Sequence, residues 1–157
     1  MLRIIEYRDA LAQQFHDINA EWITSMFVLE DVDRHVLQNP RATIIDSGGV
    51  ILFVEQHEQG IVGAGALRWS SPGQLELTKM GVRQAARGHK AGEYLLDALI
   101  KRGLNMQPER LYLLTNKTCE AAIHLYEKAG FVHDAELLAA ARHHYERCDV
   151  AMSFSAL

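Results

Sequence analysis

The sequence predicts an α+β fold, in which a mixed sheet opens with an antiparallel N-terminal meander and carries flanking helices. Three observations predict it. Short apolar runs divided by Gly and Pro turns fill the first half of the chain. After about residue 87 the apolar spacing changes to a helical one. In the second half, helical segments then alternate with strand-like ones, which makes the flanking strands parallel neighbours. The length of 157 residues suits one domain, taken as residues 1–157.

Taken in order, residues 2–6 read as a short strand. Leu11, Phe15, Ile18 and Trp22 recur at helical spacing over residues 9–23. Residues 30–38 suit a second short helix, stopped by Asn39-Pro40. Ile44-Ile45 is expected to begin a strand that turns at Ser47-Gly48-Gly49 and continues through residues 50–55. Gln59-Gly60 and Pro72-Gly73 then separate strands at residues 61–69 and 74–82, completing the meander. Ala91, Tyr94, Leu95, Ala98 and Leu99 mark a helix to about residue 104. Residues 110–115 read as a strand, residues 118–129 as a helix ended by Gly130, and residues 131–132 and 150–154 as the last strands.

Composition excludes several classes. With 48% apolar and 23% charged residues, the chain is not disordered. Its apolar runs, such as residues 50–54, are too short to span a bilayer, and the carboxylate of Glu6 comes too early for a signal peptide. Cys119 and Cys148 are expected as free thiols in a reducing, cytoplasmic setting. A pI near 6.0 argues against a nucleic-acid partner. Charge is uneven: residues 1–60 carry 4 basic and 10 acidic side chains, and residues 61–130 carry 10 and 6. This fits either a solvated surface or an anion site in the middle of the chain.

The segment Arg87-Gly88-His89-Lys90-Ala91-Gly92 joins a strand to a helix. A helix start offers unpaired N–H groups and partial positive charge, and a glycine loop lets them converge on a phosphate. A plain connecting loop with basic residues reads equally well from composition. The spacing excludes both a Walker A loop and a Rossmann fingerprint.

Glu76-Leu77-Thr78-Lys79-Met80-Gly81-Val82 followed by Arg87–Gly92 resembles the acetyl-CoA motif of GNAT-type N-acetyltransferases, Q/R-x-x-G-x-G/A at a strand–helix junction. A second block, Thr115-Asn116 and then Leu125-Tyr126-Glu127-Lys128-Ala129-Gly130-Phe131, resembles that family's L-Y-E-K-x-G-F helix and strand. Residues 145–152 resemble the closing strand of its small bacterial branch. One position departs: Lys90 stands where the motif has its first glycine. The resemblance implies a GNAT-like sheet with two splayed parallel strands in its middle, residues 74–82 and 110–115. It implies acetyl-CoA as co-substrate, bound by Met80, Gly81, Val82, Arg87, Gly88, His89, Lys90, Ala91, Gly92, Asn116 and Lys128.

Acetyl transfer to an amine must remove a proton, hold a tetrahedral oxyanion and release a thiolate. An alkyl ammonium, with a pKa of about 10.4, needs a base at neutral pH. Glu76 matches the strand position where some family members carry theirs, with Glu30, Asp31 and His144 as fallbacks. A backbone N–H near Met80–Val82 would meet the oxyanion, with Gly81 allowing a bulge that aims it. Tyr126 matches the acid that protonates the departing sulfur; its spacing alone would equally suit a core tyrosine. Cys119 has no evident partner and reads as packing, and the adjacent His143-His144 lack metal-ligand spacing.

The resemblance therefore implies an acetyl-CoA-dependent N-acetyltransferase acting by direct attack on a primary amine, and the small size of the chain favours a small-molecule acceptor over a protein lysine. The expected acceptor site lies between residues 20–38 and 133–147, with Glu30, Asp31 and Asp33 attracting a cationic amine. The competing readings are a non-catalytic acyl-CoA sensor and an interaction module on the same fold. A homodimer is common among the proteins it resembles.

Overall fold

The computed structural model describes residues 1–88, 90–141 and 144–157. Helices α1 (Ala12–Met26) and α2 (Asp31–Gln38) follow strand β1 (Leu2–Glu6). Strands β2 (Val50–Gln56), β3 (Gly60–Ser71) and β4 (Gln74–Val82) come next, then α3 (Ala91–Asn105), β5 (Arg110–Thr115), α4 (Glu120–Ala129), β6 (Phe131–His133), α5 (Ala135–Ala141) and β7 (Val150–Phe154). The seven described strands form one sheet in the order β1-β2-β3-β4-β5-β7-β6. The first four pair antiparallel and β4–β5 is parallel, as the mixed α+β expectation requires.

Alternation along the strands sorts the core into layers. Leu67, Leu75, Leu77, Leu111 and Leu113 face α3 and α4, meeting Leu95, Leu99 and Tyr126. Ile51, Phe53, Ala64 and Ala66 face the other way, under Phe15, Ile18 and Ile23 of α1 and Leu37 of α2. Tyr112 and Ala151 pack with Leu137 of α5 on that same side of the sheet.

Two features of the middle strands position the site. The β4–β5 ladder runs from the Gln74–Arg110 pair to the Leu77–Leu113 pair and stops there. Beyond it β5 pairs only with β7, out to Thr115 opposite Val150. The two parallel strands therefore part at Leu77. Immediately after, β4 carries one extra residue: Ala64 and Ala66 of β3 face Gly81 and Thr78. The bulge thus falls on Lys79-Met80, with Lys79 in the left-handed region at φ 52°. Gly81, the residue expected to make the bulge, is not the one with positive φ.

Three local expectations change. Ile44-Ile45 is not strand but part of a single wide helical turn, Arg41–Ile45, in which Asp46 N–H donates to Arg41 C=O. Pro40 enters with helical φ −63°, and the turn drives Ile44 fully into the core below α1. Residues 145–147 form a turn ahead of β7 rather than its beginning. Helix α5 occupies part of the stretch between β6 and β7, for which the sequence suggested no element.

Candidate active site

Where β4 and β5 separate, two cavities meet. The larger, about 580 Å³, runs along the outer half of β4, the Arg87–Gly92 loop and the first turns of α3 and α4. The smaller, about 50 Å³, lies deeper between β4, β5 and the turn before β7. Trp22, Met80, Thr115, Cys119 and Tyr126 line both.

Most residues expected to hold the cofactor sit on the larger groove: Met80, Gly81, Val82, Arg87, Gly88, Lys90, Ala91 and Gly92. His89 lies outside the described residues. Helix α3 begins here, so its first N–H groups open onto the groove. Gly88 has φ 92° with open space where a Cβ would stand. Lys90, the departure from the motif, caps α3 in the left-handed conformation, φ 60° and ψ 14°. It keeps the backbone path a glycine would take there and bears the steric cost of its Cβ. Asn116 and Lys128 do not line this groove. Asn116 donates to the Arg147 carbonyl at 2.5 Å and accepts from Thr118 N–H, and it borders the small cavity. Lys128 pairs with Glu93 at 3.2 Å, tying α4 to α3 across an exposed surface.

Tyr126 stands at the junction. Its ring is buried edge-on against Phe131, and its hydroxyl has no hydrogen bond to a described residue. Burial first, then the Cys119 thiol, push its pKa well above the ordinary phenol value. Cys148 borders the small cavity, and burial pushes its thiol up to about 12.

Glu76 is placed differently from its expected role. It is buried, its carboxylate takes a 3.1 Å hydrogen bond from Arg68, and it lines neither cavity. Strand alternation turns it to the α1 face, while Leu75 and Leu77 face α3. The acidic residues expected to attract a cationic amine line neither cavity. Asp31 is exposed against Arg34. Asp33 and Glu30 form a reciprocal cap on α2, Asp33 accepting from Glu30 N–H at 2.9 Å. Asp33 is fully buried and also takes Lys79 Nζ at 3.0 Å and Arg147 through both terminal nitrogens, at 2.6 and 2.8 Å. Burial opposes its charge, but these donors hold its pKa at about 2. Glu30 accepts from Arg147 Nη1 and from Glu146 N–H. His144 packs its ring edge against Tyr145, 4.5 Å between centroids.

Sequence reasoning missed the walls supplied by distant segments. Trp22 reaches from α1 to cover Gly81, where a Cβ would lie 2.2 Å from its Cδ1. Lys79 is almost wholly buried, donating to Asp33 and to Tyr145 Oη at 3.0 Å each. Its cue was an unpaired-looking lysine inside a strand that otherwise reads as core. Arg147 and Tyr145 had no cue beyond their place in the closing segment. Among the described residues no group of three or more His, Cys, Asp or Glu lies close enough to hold a metal, and no helix is long and apolar enough to cross a membrane.

A family model, the acetyltransferase (GNAT) family, matches residues 12–131. The chain belongs to the GNAT acetyltransferase family. Its fold supports acyl transfer from acyl-CoA. Among solved structures, a GNAT-family acetyltransferase from Staphylococcus aureus Mu50 superposes with TM-score 0.84 at 22% identity, with 98% of each chain covered. A Bacillus subtilis acetyltransferase in complex with CoA superposes with TM-score 0.73 at 15% identity over the whole of both chains. An acetyltransferase from Streptococcus agalactiae gives TM-score 0.74 at 15% identity, covering 97% of this chain and 96% of that one. No curated protein matches the sequence.

Proposed function

We propose that this GNAT enzyme moves an acetyl group from acetyl-CoA to the primary amine of a small molecule by direct attack within a ternary complex. The observation that carries the proposal is Tyr126 at the one wall shared by a CoA-sized groove and a deeper polar cavity. The CoA of the Bacillus subtilis structure supports the same ligand here. The loop N–H groups, Arg87 and Lys90 suit the pyrophosphate, and the gap beyond Leu77–Leu113 suits the pantetheine arm, whose amides can pair with the unpaired edges of β4 and β5. The amine enters from the small cavity, and the carbonyl oxygen meets backbone N–H groups of the bulged Met80–Val82 segment.

Collapse of the tetrahedral intermediate breaks the C–S bond, and Tyr126 protonates the leaving sulfur. Burial raises the pKa of the Tyr126 phenol, so the group is protonated and available as a donor. Glu76 is the proposed base. Because it lines neither cavity, it acts through intervening water, with its carboxylate held by the Arg68 hydrogen bond.

The test begins with a thermal melt. Acetyl-CoA and CoA at 100-fold their Kd raise Tm by about 5–10 °C and ATP does not. An amine panel followed by thiol release then reads transfer. Tyr126→Phe leaves acetyl-CoA affinity nearly unchanged and lowers kcat by about 100-fold; unchanged turnover refutes the acid. Glu76→Gln lowers kcat/KM while acetyl-CoA affinity holds; a drop in Tm with kcat/KM intact makes Glu76 a structural partner of Arg68 only. Binding without transfer to any amine points to a sensor.

A further inference from the structure

The acceptor cavity has a polarity that the acidic count of the N-terminal third does not suggest. No carboxylate lines it among the described residues, whereas Lys79 and Arg147 both do. Their counter-ions, Asp33 and Glu30, stand behind them: Asp33 is fully buried and Glu30 is held by the α2 cap. Two cations and two carboxylates sum to zero, but they are ordered. The two cationic residues are among those lining the cavity, and their carboxylate partners belong to α2 and its N-cap.

The guanidinium of Arg147 shows how that order can be read. It has five N–H donors in one plane. Asp33 takes one from each terminal nitrogen, at 2.6 and 2.8 Å, in the end-on bidentate arrangement. Glu30 takes the second Nη1 donor at 3.1 Å. Two donors have no partner among the described residues: Nε–H and the second N–H of Nη2, which lie along one edge of the fork. That edge matches the two oxygens of a carboxylate. The plane cannot swing away, because it packs over the Tyr145 ring at 4.9 Å and the Phe27 ring at 6.0 Å. Asn116 holds the Arg147 carbonyl, fixing the backbone that carries it. The group is held in advance in a cavity with Tyr126 on another wall.

We infer that the acceptor is an amine that also bears a carboxylate, which docks on the free edge of Arg147 while its amine points toward Tyr126. This rests on the acetyl-transfer reading above and narrows its substrate class. The carboxylate makes the paired donors of Arg147 complete; a purely cationic polyamine would meet Lys79 and Arg147 with like charge.

The test compares α-, β- and γ-amino acids with their carboxamides, reading thiol release from acetyl-CoA with the wild-type enzyme. Removing the carboxylate also makes the amine easier to deprotonate, so chemistry alone favours the amides. The expected result is the reverse: kcat/KM at least about 10-fold higher for one or more acids than for the matched amide, the size of one charge-assisted pair. In Arg147→Gln that preference falls to within about 3-fold, mainly through a higher KM for the acid, while the KM for acetyl-CoA holds. Should Arg147→Gln not fold, Arg147→Lys keeps a charge for Asp33 but loses the fork, and the preference falls by about 10-fold. Amides accepted as well as acids overturn the inference and leave acetyl transfer standing. A preference that survives in a folded Arg147 variant also overturns it. A melt shift with acetyl-CoA but no acetylation of any panel member overturns the transfer reading, and this inference with it.

Discussion

Gly81→Ala tests the packing that shapes both cavities. An added Cβ would lie 2.2 Å from Trp22 Cδ1, 2.7 Å from Nε1 and 3.1 Å from Cγ. Carbon atoms pack at about 3.5–4.0 Å, so more than an ångström must be found. The indole cannot give way freely. Its Nε1–H donates to Asn19 Oδ1 at 2.9 Å, and Asn19, fully buried, donates in turn to the Phe15 carbonyl at 3.0 Å. Either the ring turns out and leaves the Asn19 oxygen without a donor, or β4 shifts at its bulge. Overpacking and a stranded buried acceptor each cost about 1–3 kcal/mol, so the expected loss is about 2–3 kcal/mol. For a chain of this size that lowers Tm by about 4–12 °C. Because Trp22 and Met80 border both cavities, kcat falls and the KM for acetyl-CoA rises with it. Thermal melts and steady-state thiol release measure both effects. The control is Trp22→Ala: in that background Gly81→Ala costs nearly nothing, since the two changes share one contact. An unchanged Tm for Gly81→Ala alone, or full additivity with Trp22→Ala, refutes the argument.

Two further expectations concern single residues. Lys90→Gly removes a left-handed Cβ at the start of α3, a strain of about 1–2 kcal/mol partly offset by the freer unfolded glycine, so Tm rises by about 2–4 °C; a lower Tm counts against the strain. Asp33, held at about 2 against an ordinary 3.8, contributes stability that is fully present above about pH 4 and is lost as pH falls through 2. The contribution is about 2 kcal/mol. Asp33→Asn therefore lowers the urea midpoint at pH 7 and flattens its decline between pH 4 and 2; an equal decline in both proteins refutes the assignment.

The middle of the molecule was legible because its signals are local. The period change after residue 87, the Gly and Pro turns, and the alternation in β4 and β5 each arise within one segment, where side-chain direction follows directly from helix or strand geometry. The loop and Tyr126 came with those elements, since a strand–helix junction fixes what the next turn presents. Ile44 was misread because a β-branched pair favours strand, and only the core beneath α1 decides that a helical turn buries it better. The bulge was misplaced by one idea, that glycine marks the bend. Here Lys79 takes the left-handed backbone, and its ammonium is held there by Asp33 and Tyr145, 46 and 66 residues away.

By itself, then, the sequence determined most of the order of elements, the mixed sheet, the glycine-containing loop at the strand–helix junction and Tyr126 on the helix that follows β5. The tertiary structure alone decided what lines the small cavity. Asp33 and Arg147 are 114 residues apart, and nothing in either segment's periodicity announces the other. Their pairing turns an acidic stretch of sequence into the buried backing of a positive wall, because a charge removed from water must find its partner wherever the fold brings one.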